Sequence, residues 1–109
     1  MNNYKLVILF NQPLPSDFEQ HWSEQFVPLA EKLPGLRRIV VSHTHGGPAG
    51  PVEVYLLHEL HFDSLEALKE AMLTPEGINA GQALVKLAGK QATLLFAEHM
   101  EDSPAEVAT

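Results

Sequence analysis

One stretch constrains the fold of this chain more than any other: Phe18 to Arg38, FEQHWSEQFVPLAEKLPGLRR. Phe18, Trp22, Phe26, Leu29 and Leu33 recur at steps of three and four residues, which stacks them on one face of a helix. Leu33-Pro34-Gly35-Leu36 then ends the helix near Lys32, since proline cannot continue it and glycine tolerates the turn. Upstream, Ser16 suits the N-cap and Glu19 completes a capping box with it. Pro28 sits inside the periodic run and predicts a kink.

The flanking segments supply strands. Tyr4 to Phe10 is β-branched, aromatic and apolar, and Asn11-Gln12-Pro13 bounds it. Leu36 to Thr44 and Val52 to Phe62 read as a hairpin around the glycine- and proline-rich loop from His45 to Pro51. Asp63, with Glu66 three residues on, predicts the cap of a second helix whose apolar face is Leu65, Leu68 and Met72. Thr74-Pro75 restarts a helix that Gly89 ends, and Gln91 to Glu98 forms the last strand. The order β-α-β-β-α-β is the ferredoxin-like α+β plan, a four-stranded antiparallel sheet with helices on one face. Residues 1–100 make this single domain, and residues 101–109 read as a flexible polar tail.

Composition removes several functions. Fourteen acidic residues against seven basic ones give a net charge of -7, and only Arg37-Arg38 are adjacent cations, so nucleic acid is not an expected partner. The absence of cysteine excludes disulfides and thiolate metal sites. The N-terminal apolar run is too short to span a bilayer, so a cytoplasmic protein without membrane association is expected. There is no GxGxxG, P-loop, GxSxG or HExxH pattern, and no cofactor is called for.

The strands imply more than a monomer. The third strand alternates Val52, Val54, Leu56, His58, Leu60 and Phe62 on a face that suits packing under helices. Its other face carries Glu53, Tyr55, Leu57, Glu59 and His61, and the first strand adds Val7 and Leu9 there. A sheet covered on one side should turn a polar face to water. This mixed face predicts a second copy of the chain, closing a barrel across a two-fold axis.

With these elements in place the chain resembles the EthD family of the dimeric α+β barrel superfamily. The marks are KLVILF, FVPLAEKLPGLRR, ELHFDSLEAL, TPEG and TLLFAE, which together cover most of the sequence. The resemblance implies a homodimer with a small-molecule pocket between barrel and helices in each subunit. Family members place a histidine immediately before the x-Pro-Leu of the first helix; Phe26 stands there in this chain, which implies a more apolar pocket suited to binding.

Several residues could carry chemistry. Glu59 and His61 share a strand face with Tyr55, so a carboxylate and an imidazole in a desolvated space could move a proton; the plainer reading pairs Glu59 with Lys5 or Arg38. Trp22 and Phe26 would line a ligand cavity or simply fill the core. His21 and Gln25, at i and i+4, flank that stripe and could hydrogen-bond a ligand. His43 and His45 alternate and could chelate a metal with His58, His61 or Glu59, although His58 and His61 point to opposite faces; no metal site is committed to. The expected function is a dimeric binder of a mostly apolar small molecule in catabolic or secondary metabolism. If it is catalytic, the resemblance implies cofactor-free lyase, isomerase or oxygenase chemistry. The rivals are a non-catalytic accessory dimer and a haem- or metal-using relative with His43 or His58 as ligand.

Overall fold

The computed structural model describes residues 3–102. Strand β1 (Asn3–Asn11) runs through the sheet between β3 (Val54–Phe62) and β4 (Ala92–His99), and β2 (Arg38–His43) lies outside β3. Every pairing is antiparallel and the order is β2-β3-β1-β4, the ferredoxin-like arrangement expected from the sequence. Helices α3 (Leu65–Leu73) and α4 (Pro75–Ala88) join the first helical segment on one face. Between the layers Leu6, Ile8 and Phe10 of β1 and Leu56, Leu60 and Phe62 of β3 are buried against Phe18, Phe26, Leu68 and Leu84. Each such Leu or Phe side chain contributes about 1.5–3 kcal/mol by leaving water. From Leu56 to Phe62 the expected alternation of β3 is thus reproduced, with His58 inside the apolar layer.

The first helical segment has three parts: α1 (Phe18–His21), a π-helical turn (Trp22–Phe26) and α2 (Val27–Ala30). Pro28 explains the widened turn. It has no N–H for the Glu24 carbonyl, and its ring would strike that oxygen in a regular α-helix. The Val27 N–H instead reaches back to the Trp22 carbonyl, and proline falls in the first turn of α2, where no donor is missed. The predicted kink is therefore a π turn, and the Phe18-Trp22-Phe26 stripe still faces the sheet.

Three local expectations are corrected. Asp17, not Ser16, occupies the N-cap of α1 and makes no side-chain cap; Glu19 leaves the predicted capping box because donors on the sheet take its carboxylate. Ser64, not Asp63, caps α3, accepting from the Ala67 N–H at 3.0 Å, while Asp63 pairs with Arg37 at 3.4 Å. The cap needs extended backbone directly before the first helical residue, and Ser64 has it. Third, Tyr55 does not share a face with Glu59 and His61. Phe10 pairs with Leu56 and Asn11 with Val54, so Tyr55 is an extra residue in a β-bulge, which turns its side chain toward the helices.

Thr74 ends α3 and caps α4, accepting from the Gly77 N–H at 3.1 Å, as the Thr-Pro pattern predicts. Gly77 permits the tight corner: a Cβ there would stand 2.3 Å from the Ala71 carbonyl oxygen and 2.6 Å from that of Met72. Of the expected flexible tail, Glu101 is held by Arg38 at 3.2 Å and His99 at 2.8 Å, and residues 103–109 lie outside the described residues.

Candidate functional site

The sheet separates the candidate residues into two groups. On the face away from the helices, the Lys5 ammonium meets Glu59 Oε1 at 2.5 Å, the pairing that the plainer reading named. His61 lies beside them, with Nε2 at 3.8 Å from the same oxygen and Nδ1 at 3.4 Å from Asn3 Oδ1. Its ring packs edge-on against His99 at 4.7 Å. Burial, followed by the cations Arg38, His99 and Lys5, lowers the His61 pKa. Glu59 and His61 therefore do come together, but with the Glu59 carboxylate paired to Lys5, and across the sheet from Trp22, Phe26 and Tyr55. They form no common site with those residues.

On the helix side the π turn sets the geometry. Its first and last residues, Trp22 and Phe26, pack edge-on against the His58 ring with centroids 5.3 and 5.6 Å away. The Trp22 indole N–H donates to His58 Nδ1 at 3.2 Å. An indole only donates, so this nitrogen must accept, and the neutral ring carries its proton on Nε2. His58 is 0% exposed, and its Nε2 has no hydrogen-bond partner. Burial lowers its pKa to about 4, so the ring is neutral at physiological pH.

Phe26 also lines an apolar cavity of about 50 Å³ between the sheet and α4, with Ile8, Leu60, Leu84 and Leu94. Ile8 is the cross-strand partner of His58. Leu6, Met72 and Leu94 are shared with a groove of about 100 Å³ that opens at the β4 edge, where Leu94 and Phe96 are exposed. Gly81 stands in the cavity wall, and a Cβ added there meets nothing within 4 Å.

A second, more polar recess of about 360 Å³ lies at the start of α1, lined by Gln12, Leu14, Ser16, Phe18, Glu19 and Tyr55. The Tyr55 hydroxyl donates to Glu19 Oε1, and His43 Nε2 lies 3.1 Å from the same oxygen. The Tyr55 bond chiefly holds the Glu19 pKa below the usual carboxylate value and raises that of Tyr55 in turn. His43 is thus an anchor for α1. β2 stops at His43, so His45 does not continue the strand face on which the two histidines could have chelated a metal. Among the described residues no group of three or more His, Asp or Glu is placed to hold a metal ion.

His21 is half-exposed at 3.6 Å from Asp17, and Gln25 is exposed, so neither reaches the cavity. The role of Glu19 went unforeseen, since it gave no signal beyond its capping position; His58, an imidazole in the apolar series Leu56-His58-Leu60, was named only as a metal or haem ligand and not as a partner of Trp22. Also among the described residues, no helix is long and apolar enough to cross a membrane.

A four-stranded antiparallel sheet of order β2-β3-β1-β4 with helices on one face makes this a ferredoxin-like α+β protein. The chain belongs to the EthD family, whose domain matches residues 14–85. It is 30% identical over 96 residues to an uncharacterized 11.0 kDa protein of the thcB-thcC intergenic region of Rhodococcus erythropolis, covering 87% of this chain and 93% of that one. An ethyl tert-butyl ether degradation (EthD) family protein from Bacillus halodurans superposes with a TM-score of 0.85 at 38% identity, covering 90% and 99% of the two chains. Fold likeness alone extends to a dimeric ferredoxin-like protein of unknown function from Jannaschia sp. CCS1, with TM-score 0.65, 18% identity and coverage of 89% and 98%. It extends also to a hydroxynitrile lyase from Passiflora edulis, with TM-score 0.69, 12% identity and coverage of 94% and 97%.

Proposed function

We propose that this chain is a cytoplasmic homodimer that binds a mostly apolar small molecule between its sheet and helices, and that any chemistry there is of the cofactor-free lyase, isomerase or oxygenase kind. The observation that carries the reading is the apolar cavity beside Phe26, joined through Leu6, Met72 and Leu94 to the open groove at β4. Apolar walls with few convergent polar groups are the usual make-up of a small-molecule site. The dimer is supported by the dimeric ferredoxin-like relative and by the sheet face where Val7, Leu57 and Leu95 accompany the Lys5–Glu59 pair. In this reading Trp22 and Phe26 bind ligand, Tyr55 serves the neighbouring recess, and Glu59 and His61 hold the dimer face together.

Methyl NMR with ethylbenzene tests it. Shifts are expected at Ile8, Leu60, Leu84 and Leu94, and Ala80→Leu, which enlarges a buried residue of the cavity wall, should remove them while leaving methyls distant from the cavity unchanged. Saturating ethylbenzene with no shift at these methyls overturns the reading. The accessory-dimer alternative is favoured by one observation, the small cavity volume of about 50 Å³, and the same null titration would support it.

A further inference from the structure

We propose that the helix-side pocket selects a neutral molecule bearing a carbonyl-type acceptor, which His58 binds through Nε2–H as a fixed hydrogen-bond donor. The inference rests on the small-molecule reading above and specifies the ligand class. Its origin is the π turn. Trp22 and Phe26 close it from either end, and Trp22 pins Nδ1 of His58 as an acceptor. The remaining nitrogen is a buried donor with no partner. Such a group is costly to leave unmade and gains most from an acceptor brought in dry.

His58 is not itself one of the residues lining the apolar cavity, but three of those that do line it adjoin His58: Ile8 across the strand pair, Leu60 next on the same face, and Phe26 against the ring. The cavity of about 50 Å³ suits the head of a ligand, and the β4 groove of about 100 Å³ suits its apolar body. A carboxylate would enter an apolar site on a chain of net charge -7, and it would be disfavoured on both counts. An alcohol acting as donor finds no acceptor on His58, since Nδ1 is occupied. A ketone, aldehyde or amide oxygen satisfies the site. The neutral imidazole would then polarise that carbonyl as an electrophile, without giving up its own proton.

The test uses two probes of similar shape, acetophenone and ethylbenzene, with 15N-labelled imidazole NMR on the full chain. In the wild-type protein the His58 ring should show protonated Nε2 and unprotonated Nδ1, and acetophenone alone should shift the Nε2 resonance. His58→Leu should lower the preference for acetophenone over ethylbenzene by about tenfold, the order of one buried hydrogen bond. Trp22→Phe should mix the two ring tautomers and weaken the preference, a spectroscopic change that loss of packing alone would not produce. A wild-type ring protonated at Nδ1 overturns the inference without any variant. A preference unchanged in His58→Leu overturns it while the pocket stands, whereas failure of both probes to bind removes the pocket and the inference together.

Discussion

His58 makes the acid stability of this fold predictable. Its pKa is about 4 in the folded chain and 6.5 in an unfolded one. Between those values the unfolded state binds a proton that the native state refuses, so stability rises with pH in this window and falls as the medium is acidified through it. The slope approaches about 1.4 kcal/mol per pH unit, and the loss across the window is roughly 3 kcal/mol. No discount for solvent screening applies, because the ring is 0% exposed. The assay is urea denaturation of both proteins at the same fixed concentration, so that any dimer contributes equally to wild type and variant at each pH, in steps from about pH 8 to about pH 4.5. His61, whose pKa is also lowered, adds a slope of the same sign. The informative quantity is therefore the difference between wild type and His58→Leu. That difference should shift by roughly 2–3 kcal/mol in favour of the variant as the pH falls, and most of the change should occur below pH 6.5. A difference that is flat with pH would refute the argument that His58 is buried neutral.

Other outcomes follow from the corners of the fold. Gly77→Ala places a methyl group 2.3 Å from the Ala71 carbonyl oxygen, so it should destabilise by about 3 kcal/mol in urea or fail to fold, although alanine favours helices. Ser64→Ala should cost about 1 kcal/mol and Asp63→Ala a few tenths, which separates the true cap of α3 from its neighbour. Tyr55→Phe removes the main hydrogen bond to Glu19, and carboxyl-labelled NMR should show the Glu19 pKa moving up toward its ordinary value.

The architecture was legible because it rests on periodicity. Phe18, Trp22 and Phe26 at helical spacing, and Leu56 to Phe62 in alternation, determine which faces meet, and that suffices for the layer order. The site was legible only in part. Trp22 and Phe26 were named from their stripe, but the hydrogen bond from Trp22 to His58 depends on a π turn whose sequence cue, Pro28, signals a disturbance without its form. Tyr55 was assigned to the wrong face because alternation assumes an unbroken ladder, and a single extra residue in a bulge re-aims the side chain. Glu59 was legible as a partner of Lys5, since both lie in neighbouring strands on one face, whereas Glu19 reaches across to Tyr55 and His43 through tertiary packing that no local pattern encodes. The cap of α3 was missed by one position because Asp63 and Ser64 are both good caps and the backbone decides between them.

The account turns on a ligand entering between β4 and the helices and ending on His58. A crystal structure of the full chain soaked with acetophenone tests this most directly. The account predicts the ketone oxygen at about 3 Å from His58 Nε2, beside Phe26, with the aromatic ring directed toward Met72 and Leu94. Ketone density confined to the recess at Tyr55 and Glu19, or a Nε2 that bonds to the protein itself while the cavity stays closed, would contradict it.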